Sequence, residues 1–549
     1  MEEYYPDFFN DVFGPVMQPG SSSHTAGPCR IGYEAFCVLG EKPCRIEIRL
    51  DRNGSFAGTF GLMNEDLGML AGAYGMLPDD ERIFDIRDIL DDEKIEYGFE
   101  KTDLKGSDHP NAVEFILTKE GEKQISLTGN STGGGRIEIV RICGYDVSYI
   151  GDTYFTGVCI PEDSQAEMPG FFADQGTGET GMVRTEGKGV LYYKLSGDDP
   201  GELRNILEQQ YAKNAEVLVF GLKPVLPVIS GKKRKKQLFR SVEKWRKRAA
   251  EKKVGLAEAA VWYEEAASGM KREEILRKMD SLRRRMERQT GNVYRTEEGL
   301  LETPFSGYGF RQWREYTAKQ KPISDKLISN VVRYVYGVQA LQKGTCLVPG
   351  PMGTGGGFLY AALRAVCEDR EIPAEAQVEG LLVAAGIGAI CYSRGNPTGE
   401  VMGCMGECGV CGAMTSAAIC HVCGGTPEQV ENAASLTLQM SYGWPCDPVP
   451  GGDNQPCLSR FMTAAVMAVV FADLALSGRK AVIPFHEVFD AAVAYGETLP
   501  AGLKCTSRGG LCLTPEAEKR RKQFDDWFVS EEKRRSGYGR KKVQYSSDP

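Results

Sequence analysis

The sequence predicts an α+β protein, with an α/β N-terminal part and a mostly α-helical C-terminal part. Up to about Tyr154 apolar and polar residues alternate over short runs, as in Arg45-Ile46-Glu47-Ile48-Arg49-Leu50 and Arg136-Ile137-Glu138-Ile139. That is the period of a strand with one buried face, and glycine-rich turns separate the runs. Farther along, Ile275, Leu276, Met279, Leu282 and Met286 fall on one face of a helix whose other face carries Arg and Lys. Gly380 to Ser393 is apolar throughout between Glu379 and Arg394, and reads as a buried helix too short to span a bilayer. Strand signals followed by helix signals place the two kinds of element in separate parts of the chain.

At 549 residues two or three domains are expected. The chain is expected to divide into residues 1–160, an insertion with a basic linker at 161–253, a helical part at 254–525 and a basic tail at 526–549. A net charge of -9 argues against nucleic-acid binding, and 17 cysteines with no secretory signal favour the reducing cytoplasm. The partner expected is a small molecule, with neither nucleic acid nor membrane.

In chain order, the first dense polar motif is Ser21-Ser22-Ser23-His24-Thr25-Ala26-Gly27-Pro28, which holds one of four histidines. By itself it reads as a solvated turn, a helix N-cap or a functional cluster. Gly187 to Gly221 has the periodicity of strand, helix and strand. Lys232-Lys233-Arg234-Lys235-Lys236 starts a basic run to Lys253; with no aromatic platform beside it, it reads as a solvated linker or helix face rather than an RNA surface. Trp245 in this run reads as a helix anchor. Two glycine-rich stretches follow, around Ser306-Gly307 and at Pro349 to Gly357. Such turns beside helix starts expose N–H groups that suit a carboxylate, and they serve equally as helix punctuation. Met462 to Ser477 and Val482 to Tyr495 read as apolar helices, with His486 on the surface of the second.

Between Gly403 and Arg460, cysteine, glycine and proline are concentrated beyond what packing requires. Thiolates are soft ligands for zinc and iron-sulfur clusters, and prolines and glycines can shape a bare loop so that its cysteines converge. Three groupings compete. Cys404, Cys408 and Cys411 form C-x3-C-x2-C, which resembles the cluster loop of radical S-adenosylmethionine enzymes, but fewer than about 150 residues follow it where such a loop opens a long series of strand-helix units. Cys420 and Cys423 have zinc-like spacing, although helical spacing from Ala413 to Cys420 equally suits buried inert cysteine. The third grouping takes Cys404, Cys446 and Cys457.

This third grouping resembles the iron-sulfur-dependent L-serine dehydratases. The family's G-C-x-G-E, C-D-P-x-x-G-x-x-x-x-P-C-x-x-R and T-S-x-G-G-L appear in order as Gly403 to Glu407, Cys446 to Arg460 and Thr506 to Leu511. Its S-S-S-H-T-x-G-P appears at Ser21 to Pro28, followed by Gly54-Ser55-Phe56-Ala57, Asp80-Glu81-Arg82-Ile83, His109-Pro110-Asn111 and Asn130-Ser131-Thr132-Gly133-Gly134-Gly135. Beta-type and alpha-type parts of the family are thus fused in one chain. The resemblance implies a serine-binding-type N-terminal domain like that of phosphoglycerate dehydrogenases, and the 187–221 segment resembles part of an ACT domain.

What the resemblance implies chemically is concrete. Cys404, Cys446 and Cys457 would hold a [4Fe-4S] cluster with one iron free to bind the hydroxyl and carboxylate of L-serine. A base removes the α-proton, water departs, and the enamine goes on to pyruvate and ammonia. His24 and Glu407 are the catalytic candidates. Ser22, Ser23 and Thr25 would bind substrate across a domain interface, with Ser306, Gly353, Arg460, Thr506 and Ser507 as further substrate-binding candidates. Glu407 reads equally as a capping carboxylate and Arg460 as a surface ion pair. A homodimer is expected, as is common in the family.

The chain also departs from the family. Leu62-Met63-Asn64-Glu65-Asp66 stands where the family has a G-H-G-T-D-like segment, and a thioether cannot take a proton as that histidine would. Both glycine-rich stretches are altered as well, and Ser546-Ser547-Asp548-Pro549 lacks the terminal cysteine that caps the open iron in some relatives. Two other readings follow: a cluster-dependent lyase for another β-substituted amino or hydroxy acid, and a non-catalytic redox or serine sensor.

Overall fold

A computed structural model describes residues 6–104, 106–121, 123–173, 178–229, 238–291, 305, 309–339, 357–451 and 455–535. Ser306, Gly353 and Lys232 to Lys236 lie outside the described residues. The fold is α+β, and the described residues form two units, one of residues 23–229 and one of residues 6–22 with 238–531. Of the stretch 161–253, residues 161–229 belong to the first unit and 238–253 to the second.

The first unit contains β1 (Arg45–Asp51), β2 (Glu96–Thr102), β3 (Ala112–Thr118), β4 (Gln124–Gly133), β5 (Arg136–Ile142) and β6 (Tyr145–Tyr149). They form one sheet in the order β2-β1-β3-β4-β5-β6, in which only β1 and β2 are parallel. The alternation read from the sequence is the burial pattern of β1: Ile46, Ile48 and Leu50 are buried and Arg45 is exposed. Each such side chain contributes about 1.5–3 kcal/mol by leaving water.

The helix Gly27–Leu39 lies against the helix Glu65–Tyr74. A Cβ on Gly72 would stand 2.0 Å from the Cys29 carbonyl oxygen, so only glycine permits this approach. The contact fixes the segment just before the first helix, where His24 and Thr25 sit. All of Ser21 to Pro28 is buried, which excludes the solvated turn allowed by the sequence.

A second sheet holds β7 (Tyr154–Pro161), β8 (Glu179–Thr185), β9 (Gly189–Ser196) and β10 (Leu218–Leu222), with helices at Gly170–Ala173 and Gly201–Gln210. Its order is β10-β7-β9-β8 and every pair is antiparallel. This is a β-α-β-β-α-β split arrangement, and the strand, helix and strand expected between Gly187 and Gly221 are its last three elements.

The second unit is helical. The helix Ala374–Tyr392 is buried on every side from Gly380 to Tyr392, as its uniformly apolar sequence requires. It begins earlier than the sequence suggests. At 19 residues it is, like Cys457–Leu476, long and apolar enough to cross a membrane by length and composition alone. Here it is a core element: a Cβ on Gly386 would meet the Trp245 ring at 2.3 Å. Trp245 is the anchor expected, stacked on Phe239 with its indole N–H donating to the Leu256 carbonyl at 3.1 Å. The amphipathic helix appears as Arg272–Thr290, burying Ile275, Met279, Leu282 and Met286. Around Gly399–Val422 pack Phe358–Asp369, Pro427–Met440, Cys457–Leu476 and Phe485–Thr498. His486 lies partly exposed near the start of the last of these.

Candidate metal centre

The cysteine-rich stretch is helical where the sequence suggested a bare loop. Residues Gly399–Val422 form a helix broken at Gly403, whose φ of 66° and ψ of -167° are not helical. Small residues make this possible, since the helix is buried on nearly all sides and its glycines and alanines let neighbours approach. Gly403 is where the chain turns into the site. A Cβ there would stand 2.7 Å from the Trp444 carbonyl oxygen and 3.3 Å from the Cys446 nitrogen. Just beyond the break, the Met405 N–H donates to the Trp444 carbonyl at 3.0 Å. The break thus docks the Cys404 turn onto the segment carrying Cys446, and Cys404 sits at the start of the remaining helix, where the dipole favours a thiolate.

Cys446 is held from the other side. Its N–H donates to the Leu503 carbonyl at 2.8 Å, and its carbonyl accepts from the Cys505 N–H at 2.8 Å. Cys457 is the first residue of the helix Cys457–Leu476 and is partly exposed. One turn on, the Arg460 guanidinium donates to the Pro445 carbonyl at 2.6 Å and to Asp447 Oδ1 at 2.7 Å, with Cys404 Sγ at 3.7 Å. The other Asp447 oxygen accepts from the Leu511 N–H at 3.0 Å. Arg460 is therefore no surface ion pair: its partner is 2% exposed, and the pair ties three segments together.

One ligand atom each from Cys404, Glu407 and Cys446 lies within 4.8 Å of the others. Among the described residues this is the one cluster of three possible ligands so close together. Neither Cys404-Cys408-Cys411 nor Cys404-Cys446-Cys457 forms such a cluster among the described residues: of the third grouping, Cys404 and Cys446 meet and Cys457 lies outside the group. Hydrogen bonds from Cys408 and Cys446, aided by the Arg460 charge, hold the Cys404 thiol well below its ordinary value. Cys446 is pushed well up, first by its bond to Cys404, and Cys457 is pushed well up by burial and the Cys404 charge. Cys404 is thus the thiol that ionises most readily of the three, and each thiol must lose its proton to bind a metal. A buried set of sulfur donors with a guanidinium to offset their charge suits an iron-sulfur cluster or zinc by donor chemistry.

The remaining predicted residues fall into three groups. Glu407 accepts from the Gly399 N–H at 3.2 Å, the capping bond the sequence allowed, and burial with the Cys404 charge drives its carboxyl well above the usual range. The Thr506 hydroxyl donates to the Ala501 carbonyl at 3.1 Å and the Ser507 hydroxyl to the Pro448 carbonyl at 2.9 Å, so both brace the loop beside Asp447. Cys512 is committed likewise, its thiol donating to the Pro448 carbonyl at 3.0 Å. Sequence reasoning missed Cys505, whose thiol hydrogen-bonds Cys446. Its place directly before Thr506-Ser507 was the available signal.

His24, Ser23 and Thr25 belong to the other unit. His24 Nδ1 pairs with the Ser23 hydroxyl at 2.9 Å and Nε2 with the Ser55 hydroxyl at 2.9 Å. Burial lowers its pKa to about 4, so the ring is neutral near pH 7, one nitrogen donating and the other accepting in these two bonds. Thr25 donates to the Met63 carbonyl, and Glu65 accepts from the Met63 N–H at 2.8 Å. The Ser22 hydroxyl is buried without a partner among the described residues. Burial, with Asp66 beside it, raises the Glu65 carboxyl to about 8, a group the sequence did not single out.

Comparison with known proteins places this geometry. The profile of the serine dehydratase alpha chain family matches residues 244–512. The chain is 30% identical over 293 residues to the probable L-serine dehydratase alpha chain of Bacillus subtilis, covering 52% of this chain and 95% of that one. It is 34% identical over 178 residues to the L-serine dehydratase alpha chain of Peptoniphilus asaccharolyticus, covering 32% of this chain and 61% of that one. The beta chain from that organism is 34% identical over 142 residues, 26% of this chain and 63% of its own length.

Proposed function

Because the chain belongs to the serine dehydratase alpha chain family, we propose that it is an L-serine ammonia-lyase whose [4Fe-4S] cluster is held by Cys404, Cys446 and Cys457. The observation that carries the metal site is the meeting of Cys404 and Cys446, far apart in sequence, with Glu407 in one buried place. Cys457 supports the set, since its thiol feels the Cys404 charge. When bound, the cluster supplies a Lewis acid that helps the serine hydroxyl leave as water.

The chain's own groups do the rest. Arg460 offsets the negative charge gathered on the cysteines and keeps the Cys446 and Cys457 segments in register with Cys404. Glu407, whose carboxyl burial and the Cys404 charge push well above the usual range, is the proton donor for the departing hydroxyl. His24 is the catalytic candidate of its own unit. It is neutral, and its hydrogen bonds to Ser23 and Ser55 fix the ring plane. Ser22, with a buried hydroxyl and no partner among the described residues, is a substrate-binding group alongside Ser23 and Thr25. Thr506 and Ser507 act by holding their loop, and Ser306 and Gly353 complete the proposed substrate set. The reading includes a cytoplasmic homodimer that acts on a small amino acid.

The test is anaerobic purification and reconstitution, followed by iron analysis and a pyruvate assay with L-serine. The proposal requires bound iron and pyruvate formation, and each single substitution of Cys404, Cys446 or Cys457 by serine should lower both. A colourless, iron-free wild-type protein after reconstitution refutes it. Met63 in place of the family's histidine favours a second reading, a lyase for another β-substituted amino or hydroxy acid. That reading is selected if iron binds normally and serine yields nothing while a related acid is consumed.

A further inference from the structure

A cavity of about 500 Å³ opens in the helical unit where three helices come together. The core helix Ala374–Tyr392 finishes there, followed by Ser393 and Arg394, and the helix Val242–Lys252 begins there behind its cap, Ser241. The helix Phe485–Thr498 brings His486 and Asp490 from its first two turns. The volume is in the range that holds a small molecule. None of the cysteines of the candidate metal centre lines it.

Three of the lining side chains are cations: Arg240, Lys244 and Arg394. Two of them are fixed by the protein itself. The Arg240 guanidinium donates to the Ser393 carbonyl at 2.6 Å, which covers the negative end of the core helix. Arg394 donates to the Arg240 carbonyl at 3.2 Å and, through two nitrogens, to the Asp490 carboxylate, so that acid is already matched. A ligand therefore meets charges whose positions are set before it arrives, and loses little affinity to ordering them. Arg240 and Lys244 then face Glu243 as the remaining acid of the lining.

Two helix starts add to the positive side. The Ser241 hydroxyl accepts from the Lys244 N–H at 3.2 Å, whereas the N–H groups of Val242 and Glu243, ahead of it in the first turn, have no acceptor within the helix. In the first turn of the other helix, His486 supplies a separate observation. Its Nδ1 is shut off from water and has no hydrogen-bond partner among the described residues. Buried polar atoms in native proteins have partners as a rule, and a ligand in the cavity this ring lines supplies one.

We propose that the cavity binds a small molecule through a phosphate or carboxylate group, with Arg240, Lys244 and His486 as its contacts. Glu243 takes a hydroxyl or ammonium group on the body of the same molecule.

The experiment is titration calorimetry on the full chain as wild type, Lys244→Gln, His486→Ala and Lys247→Gln. Inorganic phosphate and malonate are added in separate arms, with sodium chloride at matched ionic strength as the blank. Lys244 is exposed, so its replacement leaves the core alone. Lys247 is exposed on the same helix and does not line the cavity, so its variant controls for the loss of one charge. Circular dichroism checks the fold of each. The expected result is saturable one-to-one binding of at least one of the two anions by wild type and Lys247→Gln. Binding should weaken about tenfold or more in Lys244→Gln and His486→Ala, as the loss of one charge-assisted bond implies. Binding of phosphate alone assigns a phosphorylated ligand, and binding of malonate alone a carboxylate. No saturable binding of either anion overturns the inference, as does binding that Lys247→Gln weakens as much as Lys244→Gln or that neither cavity variant weakens. The readout requires neither iron nor pyruvate formation, so failure of the cluster reading leaves this result standing.

Discussion

Replacing Gly403 with alanine tests how the site is assembled without touching a single ligand atom. At φ 66° and ψ -167° the backbone occupies a region that is essentially restricted to glycine, and forcing another residue into it costs on the order of 1–3 kcal/mol. Sterics add to this, because the new methyl group would sit 2.7 Å from the Trp444 carbonyl oxygen and 3.2 Å from Pro445 Cα. Both atoms are backbone and neither can turn away. The simplest relief is for the Trp444–Cys446 segment to move off the helix, which breaks the Met405 to Trp444 hydrogen bond and separates Cys446 from Cys404. A net cost of about 3 kcal/mol corresponds to a population of the assembled site reduced by roughly two orders of magnitude if the penalty falls on the site alone. If it falls on the whole unit, thermal unfolding drops by on the order of 5 °C.

Iron content after anaerobic reconstitution and a thermal melt of the iron-free protein separate the two cases. Loss of iron with an unchanged melt places the strain in the site, and a lowered melt places it in the helical core. Should Gly403→Ala bind iron like wild type and melt within about 1 °C of it, the close approach at Gly403 has no energetic weight and the assembly argument is wrong.

Two further outcomes are expected. His24 titrates at about 4 in the folded chain against an ordinary 6.5, so between those values the unfolded chain binds more protons and stability falls as the pH falls. In His24→Gln that contribution is absent; the wild type's stability relative to the variant should decline by up to about 3 kcal/mol from pH 7.5 to pH 4, measured by urea unfolding, and a pH-independent difference would contradict the burial argument. Asp447→Asn leaves the Arg460 charge in a largely enclosed place without its counter-ion, and should destabilise the helical unit by about 3 kcal/mol, the lower end for a broken buried pair. A melt within error of wild type would show that Arg460 is balanced by the Cys404 sulfur alone.

Period and motif made much of the protein legible. Alternation in Arg45 to Leu50 gave β1 with its buried face, and unbroken apolarity marked the core helix around Gly380 to Tyr392, because both signals are the direct imprint of which side chains leave water. The spaced motifs pointed to Cys404 and Cys446 for a different reason: a metal site needs particular donor types, and these survive as letters in the chain. The helical state of Cys404 to Cys420 was not legible. Glycine and cysteine are poor helix formers by propensity, and here their small size is what lets other helices close in, a tertiary gain that local preference does not register. The early start of the core helix at Ala374 was hidden for a related reason. Glu375, Gln377 and Glu379 interrupt the apolar run but fall where the helix emerges from the core, and a single helix tolerates both environments.

Cys505 was missed because its place depends on pairing between segments 58 residues apart, Cys446 with Lys504. Such a bridge has no period and no motif; it is set by the Pro445 to Pro448 segment lying alongside Leu503 to Cys505. That same bridge bears on how the site is balanced. A negative charge on Cys404 would stand in a place from which water is largely excluded, where an unpaired ion costs several kcal/mol. Neighbouring thiols donate to it, and Arg460 supplies a positive charge, itself held by Asp447 and the Pro445 carbonyl. Without metal, then, ionisation is eased at Cys404 and opposed at Cys446 and Cys457. A cationic metal reverses that balance: each iron bound compensates the thiolates that the protein alone must keep protonated. The pocket is thus electrostatically incomplete by itself, and its affinity for metal should rise steeply with pH, since every additional cysteine that binds must first release a proton.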